Sequence, residues 1–186
     1  RDRSVSRGLG DVYKRQTYGN NVVAAMRKVS NIYFDTHLMV TDPTNLIPLF
    51  ALAGSNMLTI HLESKGDTTA NLKYIKKIGM NAGLAIKPAT DWKEVIPYLP
   101  LCDMVLVMTV EPGYGGQGFI PQCADKVAML RKYCNENGFD KMNIQVDGGI
   151  NTATAATVKD AGANVLVAGT YLFRAKDMRE AADAIR

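Results

Sequence analysis

Residues 143–170 read NIQVDGGINTATAATVKDAGANVLVAGT. Positions 143–146, with Ile144 and Val146 apolar, read as a short strand that stops at Asp147-Gly148-Gly149. Positions 152–161 read as a helix closed by Gly162, a residue that takes the left-handed backbone of a helix end at little cost. Positions 164–168 are apolar again and end at Gly169-Thr170. Strands with so few polar residues are what a sheet covered by helices on both faces requires, whereas half-exposed strands alternate. The stretch therefore describes strand, helix and strand in a parallel β-α-β unit.

The same rhythm runs through the rest of the chain. Helices are predicted over 20–29, from Pro43 behind an Asp42 cap to near Gly54, over 68–78, 91–99 and 121–137, and last over 176–185. Strands are predicted over 32–40, 57–62, 82–86 and 104–110. The joins Gly54-Ser55-Asn56, Gly79-Met80-Asn81 and Gly162-Ala163-Asn164 share one form, a helix-ending glycine followed by a strand. Six β-α units in series imply a parallel sheet, open or part of a barrel. Polar and glycine residues gather at every strand end, at His37, His61, Glu63, Lys87, 109–118, Asp147 and Gly169-Thr170. A (β/α)8 TIM barrel collects its site from many strand ends, whereas an open sheet concentrates it at one switch point, so the barrel is favoured.

The chain has 186 residues, 47% apolar and 22% charged, which suits one soluble domain. No apolar run is long enough to span a membrane and no secretory leader is present, so a cytoplasmic protein with no membrane partner is expected. The net charge of +4 is concentrated in residues 1–16, which hold five basic and two acidic side chains. The remainder is close to neutral, so no nucleic acid partner is expected. Cys102, Cys123 and Cys134 form no C-x-x-C pair and are expected to be idle thiols. Residues 1–16, RDRSVSRGLGDVYKRQ, show neither strand alternation nor a helical stripe, and GLGDVYKRQ resembles a translated sequencing adaptor. They are set aside as a non-native or disordered segment, leaving 17–186 as the folded part.

Three glycines, Gly113, Gly115 and Gly116, follow the strand at 104–110 and let backbone N–H groups approach an anion. Gly148, Gly149, Gly169 and Thr170 follow two later strands, where barrels of this type place a phosphate cradle. His37 and His61, with Asp147, are donors suited to a divalent metal, although each histidine is as readily explained by a structural hydrogen bond. Lys87 has the chemistry of a Schiff-base lysine, but Lys-Pro at a strand end is more simply positional, and Met39 and Met108 read as core.

Together these residues resemble the ribulose-phosphate 3-epimerase family. The matching strings are FDTHLMV (34–40), TIHLES (59–64), GLAIKPAT (83–90), VLVMTVEPGYGGQGF (105–119), QVDGGI (145–150) and GANVLVAGT (162–170), and the AIKP form is similar to the eukaryotic branch. The resemblance implies an isomerase of the pentose-phosphate pathway that interconverts D-ribulose 5-phosphate and D-xylulose 5-phosphate. It implies a divalent metal ion (zinc, iron, manganese or cobalt) and no organic cofactor, with His37 and Asp147 as metal ligands and Asp147 as a proton-transfer carboxylate. His37, Met39, Met108, Gly113, Tyr114, Gly115, Gly116, Asp147, Gly148, Gly149, Gly169 and Thr170 match substrate contacts, while His61 matches a position that is not a ligand. Thr170 stands where the family usually has serine. The family begins with two further β-α units, the second ending in a His-x-Asp pair that supplies the other two ligands and the other carboxylate. No such pair lies upstream of Thr17, so the expectation is an incomplete barrel of about six units, a fragment nearly inactive by itself, from an enzyme that forms homo-oligomers. An allulose-6-phosphate 3-epimerase and a non-catalytic sugar-phosphate binder are the alternatives. The related decarboxylases need an Asp-x-Lys-x-x-Asp array that FDTHLMV lacks.

Overall fold

The computed structural model describes residues 19–113 and 116–186. The segment set aside above, 1–16, lies outside them, as do Tyr114 and Gly115. The chain divides into two compact units, one reaching Ala85 and taking in Tyr98–Asp103, the other made of Ile86–Pro97 and Met104–Arg186.

In the first unit, α1 (Asn20–Arg27) precedes β1 (Asp35–Leu38), α2 (Ile47–Leu52), β2 (Met57–His61), α3 (Thr68–Lys77) and all but the last residue of β3 (Asn81–Ile86). β1 pairs with β2 and β2 with β3, both in parallel, with Leu38 opposite Ile60 and Ile60 opposite Leu84. All five residues of β2 are buried, which is why its sequence does not alternate. Asp67 caps α3 by accepting from the Ala70 N–H, and Leu72 and Ile75 bury the face three residues on from one another.

Two boundaries move from their expected places. β1 covers Asp35–Leu38 rather than 32–40, because Ile32 and Tyr33 are exposed and Phe34 bonds to Asn56. α2 starts at Ile47, not at Pro43. The Asp42 carboxylate accepts from the Thr44 N–H at 3.0 Å, and the Pro43 carbonyl accepts from Leu46 and Ile47, so Asp42 opens a turn ahead of the helix.

The connection Trp92–Leu101 is a 3-10 helix where an ordinary helix over 91–99 was expected. Pro97 and Pro100 cannot donate N–H groups, which breaks the longer-range ladder of an α-helix. β4 (Met104–Met108), α4 (Gln122–Glu136), β5 (Asn143–Asp147), α5 (Thr152–Asp160), β6 (Val165–Val167), α6 (Gly169–Arg174) and α7 (Met178–Asp183) follow. β4 pairs with β5 and β5 with β6 in parallel. α4 buries Cys123, Val127, Leu130 and Cys134 at helical spacing. α6 was not anticipated, since Gly169 and Thr170 read as a strand-end turn. The final helix then starts at Met178, where the Asp177 carboxylate accepts from the Arg179 and Glu180 N–H groups.

One device recurs at the strand starts. The side-chain oxygens of Asn56, Asp103 and Asn164 each accept, at 2.8 Å, a backbone N–H at the beginning of the strand before them, from Phe34, Ala82 and Ile144 respectively. The glycine joins seen in the sequence deliver two of these side chains, Asn56 and Asn164. Among the described residues no helix is long and apolar enough to cross a membrane.

Candidate active site

In the second unit the chemistry-bearing residues stand at the C-terminal ends of β4 to β6. Met108, Asp147 and Val167 are register partners across the three strands, so their side chains share one face. Met108 is buried and Asp147 is half-buried. Beyond them the two loops are stitched together: Thr109 donates its N–H to the Asp147 carbonyl at 2.9 Å and its hydroxyl to the Gly148 carbonyl at 2.6 Å. Gly148 has φ +128° and a Cβ there would lie 2.4 Å from Val110; Gly149 has φ +65° and a Cβ there would lie 2.5 Å from the Phe119 nitrogen. Both backbone angle and space thus demand glycine. Asn151 caps α5 by accepting from Ala153 and Thr154, and the Thr154 hydroxyl returns to the Gly149 carbonyl at 3.0 Å, so the turn after Asp147 is held from both sides.

Gly113 and Gly116 lie in the loop after β4, and the Gln117 amide donates to the Glu111 carbonyl at 2.7 Å across it. Tyr114 and Gly115, expected as substrate contacts, fall outside the described residues. Gly169 and Thr170, expected in a strand-end turn, open α6 and are exposed. Lys87 sits in a turn held by Lys126, whose ammonium donates to the Lys87 and Pro88 carbonyls at 3.0 and 2.9 Å and also to that of Thr90.

In the first unit His37 lies in β1 and Met39 just past its end. The His37 Nε2 meets the His61 Nε2 at 2.8 Å, and the His61 Nδ1 meets a Glu63 carboxylate oxygen at 3.1 Å. Burial first, and the His61 ring second, lower the His37 pKa to about 3, so this imidazole is neutral near pH 7. Both nitrogens of His61 are engaged within the chain. Glu63 was missed as a partner; its spacing of two from His61 at a strand end, which puts both on one face, was the available signal.

Among the described residues no three His, Cys, Asp or Glu side chains gather to hold a metal ion. His37 and Asp147 have the right donor chemistry, but these residues do not by themselves make a metal site.

A family model described as the ribulose-phosphate 3 epimerase family matches residues 13–173, and that span includes all of the strand-end residues above. The chain belongs to this family. Relatives within the ribulose-phosphate 3-epimerase family include a Schizosaccharomyces pombe protein 40% identical over 91% of this chain and 74% of its own length. A chloroplastic Arabidopsis thaliana protein is 40% identical over 91% of this chain and 61% of its own length, and a Bacillus subtilis protein is 38% identical over 91% and 78%. The chain thus spans between three-fifths and four-fifths of these family members. Of the solved structures, KGPDC from Streptococcus mutans aligns at TM-score 0.69 and 16% identity, covering 98% of this chain and 85% of that one. A 3-hexulose-6-phosphate synthase from Salmonella typhimurium aligns at 0.65 and 18%, covering 97% and 85%. At such identities the likeness shows the fold alone: an incomplete (β/α)8 barrel of six β-α units.

Proposed function

We propose that this chain carries the phosphate cradle and one proton-transfer carboxylate of a ribulose-phosphate 3-epimerase, interconverting D-ribulose 5-phosphate and D-xylulose 5-phosphate. The observation that carries the reading is the pair of locked loops after β4 and β5, which hold Asp147 beside a glycine-lined backbone. C3 lies next to the ketone, so its proton is acidic. The Asp147 carboxylate takes that proton on one face or returns it. Backbone N–H groups of Gly113, Gly116, Gly148, Gly149 and Gly169, with the Thr170 hydroxyl, anchor the phosphate and so fix C3 against Asp147. Inversion needs a second group on the opposite face. Asp147 and, separately, His37 have the donor chemistry of divalent-metal ligands, and Lewis-acid help to the proton transfer is what such an ion would supply. Cytoplasmic location and self-association belong to the same reading.

A longer chain, in which two β-α units ending in a His-x-Asp pair precede residue 17, is expected to epimerise D-ribulose 5-phosphate. The 186-residue chain is expected to be slower by about 10²–10⁴-fold, the usual worth of one positioned acid or base. D-allulose 6-phosphate in the same assay separates pentose from hexose preference. No turnover of either sugar by the longer chain overturns the proposal.

A further inference from the structure

We propose that Tyr171 is a positioning residue of the phosphate cradle: its hydroxyl, bonded to that of Thr152, ties the loop after β6 to the turn after β5. The inference rests on the reading of these two loops as a phosphate site. The turn after β5 is held on its own account, by Thr109 on the Asp147 and Gly148 carbonyls and by the Thr154 hydroxyl on the Gly149 carbonyl. The loop after β6 is held more lightly. β6 is three residues long and each of them is half-buried, and Gly169 and Thr170 beyond it are exposed. Among the described residues, 168–174 make one side-chain hydrogen bond, the 2.8 Å contact of the Tyr171 hydroxyl with the Thr152 hydroxyl.

The strand register brings the two residues together. Asp147 is opposite Val167, so β5 and β6 end level with one another. After β5 the chain enters α5 through Asn151, whose side chain accepts from Ala153 and Thr154 and so fixes Thr152 at the helix start. After β6 it passes buried Ala168 and opens α6 with Gly169, Thr170 and Tyr171. The Tyr171 hydroxyl stands at the far end of its ring and spans the gap between the two elements, which a phenylalanine could not do. A phosphate bound by backbone N–H groups of both loops needs those groups at a fixed separation. A loop that must be ordered at the moment of binding gives up affinity, whereas one already tethered does not. The clasp supplies that order from the turn that is already fixed, and each hydroxyl acts only through the other.

The test is phosphate binding by the whole chain, followed in amide proton–nitrogen spectra as inorganic phosphate is added at constant ionic strength. Tyr171→Phe keeps the ring and removes its hydroxyl; Thr152→Ala removes the other partner, and Thr152→Ser retains it. Tyr171→Phe and Thr152→Ala are each expected to weaken phosphate binding about fivefold, the scale of one hydrogen bond. The double variant is expected to lose no more than either single one, since both remove the same bond. Thr152→Ser is expected to bind phosphate as the unsubstituted chain does. A merely structural role would lower the urea midpoint and leave the phosphate dissociation constant where it was. Phosphate that shifts the Gly148, Gly149 and Gly169 amides with undiminished affinity in Tyr171→Phe, or losses that add in the double variant, overturns the clasp and leaves the cradle standing. Phosphate that shifts none of these amides in the unsubstituted chain overturns the cradle and the clasp together. If Tyr171→Phe fails to fold, Thr152→Ala, at an exposed position, decides in its place.

Discussion

The hydroxyl of Thr59 lies in fully buried β2 and has no hydrogen-bond partner among the described residues. An unsatisfied buried hydroxyl costs about 1–3 kcal/mol, so Thr59→Val, which keeps the shape, is expected to leave stability unchanged or raise it by ~1 kcal/mol in urea unfolding. A loss of several kcal/mol would mean that the hydroxyl has an essential partner. The cysteines illustrate the opposite case, groups whose chemistry burial switches off. Burial, with Asp103 adding to it, pushes the Cys102 thiol up to about 12, and burial raises Cys123 and Cys134 as well. The thiolate is the reactive form. All three are expected to resist iodoacetamide at neutral pH in the folded chain and to label fully in denaturant, as mass spectrometry would show.

Elements in this protein are joined by side chains that reach from one to the next. Arg27, at the end of α1, donates to the Gly54 carbonyl through Nε and Nη2, to the Ser30 and Ile32 carbonyls and to Asn56, and lies 3.7 Å over the Phe34 ring. Arg131 of α4 repeats part of this, donating to the Gly162 carbonyl at 2.9 Å. Arg27→Ala is expected to destabilise by roughly 2–3 kcal/mol, and Arg27→Lys to recover little, since an ammonium cannot present the planar fork. The loops after β4 and β5 are tied as closely. Gly149→Ala would set a Cβ against the Phe119 backbone at a left-handed φ and is expected to displace the Asp147 turn. In the longer chain proposed above as an epimerase, the proposal predicts a KM for the sugar phosphate raised by about tenfold or more, the scale of one lost charge-assisted hydrogen bond, while far-ultraviolet circular dichroism stays unchanged.

At the scale of the whole molecule, large apolar side chains remain uncovered. Val29 is 87%, Leu52 86% and Ile32 68% exposed in the first unit, and Phe173 is 77% exposed in the second. Apolar surface of this kind promotes association. Light scattering is expected to show concentration-dependent self-association of the 186-residue chain, reduced by Val29→Asp with Leu52→Glu; a monomer at all concentrations would contradict this. In the longer chain proposed above as an epimerase, the reading of Asp147 as a proton-transfer group and not an anchor predicts that Asp147→Asn lowers kcat by about 10²–10⁴-fold with a smaller change in KM.

The alternation of strand and helix, the parallel sheet, the glycine loops and the place of Asp147 at a strand end were all legible in the sequence. Each follows from local causes: apolar runs, caps, and glycines where only glycine fits. The position of α2 was not, since Asp42 serves a turn as readily as a helix and only the surroundings choose. The 3-10 helix at Trp92–Leu101 and the helix α6 also turned on packing that periodicity does not record. The contact of His61 with His37, and with Glu63 beside it, was the largest omission. Its members come from two strands, and a hydrogen bond between side chains distant in sequence depends on register and on which ring edge faces which. Those are decided only when the strands pair.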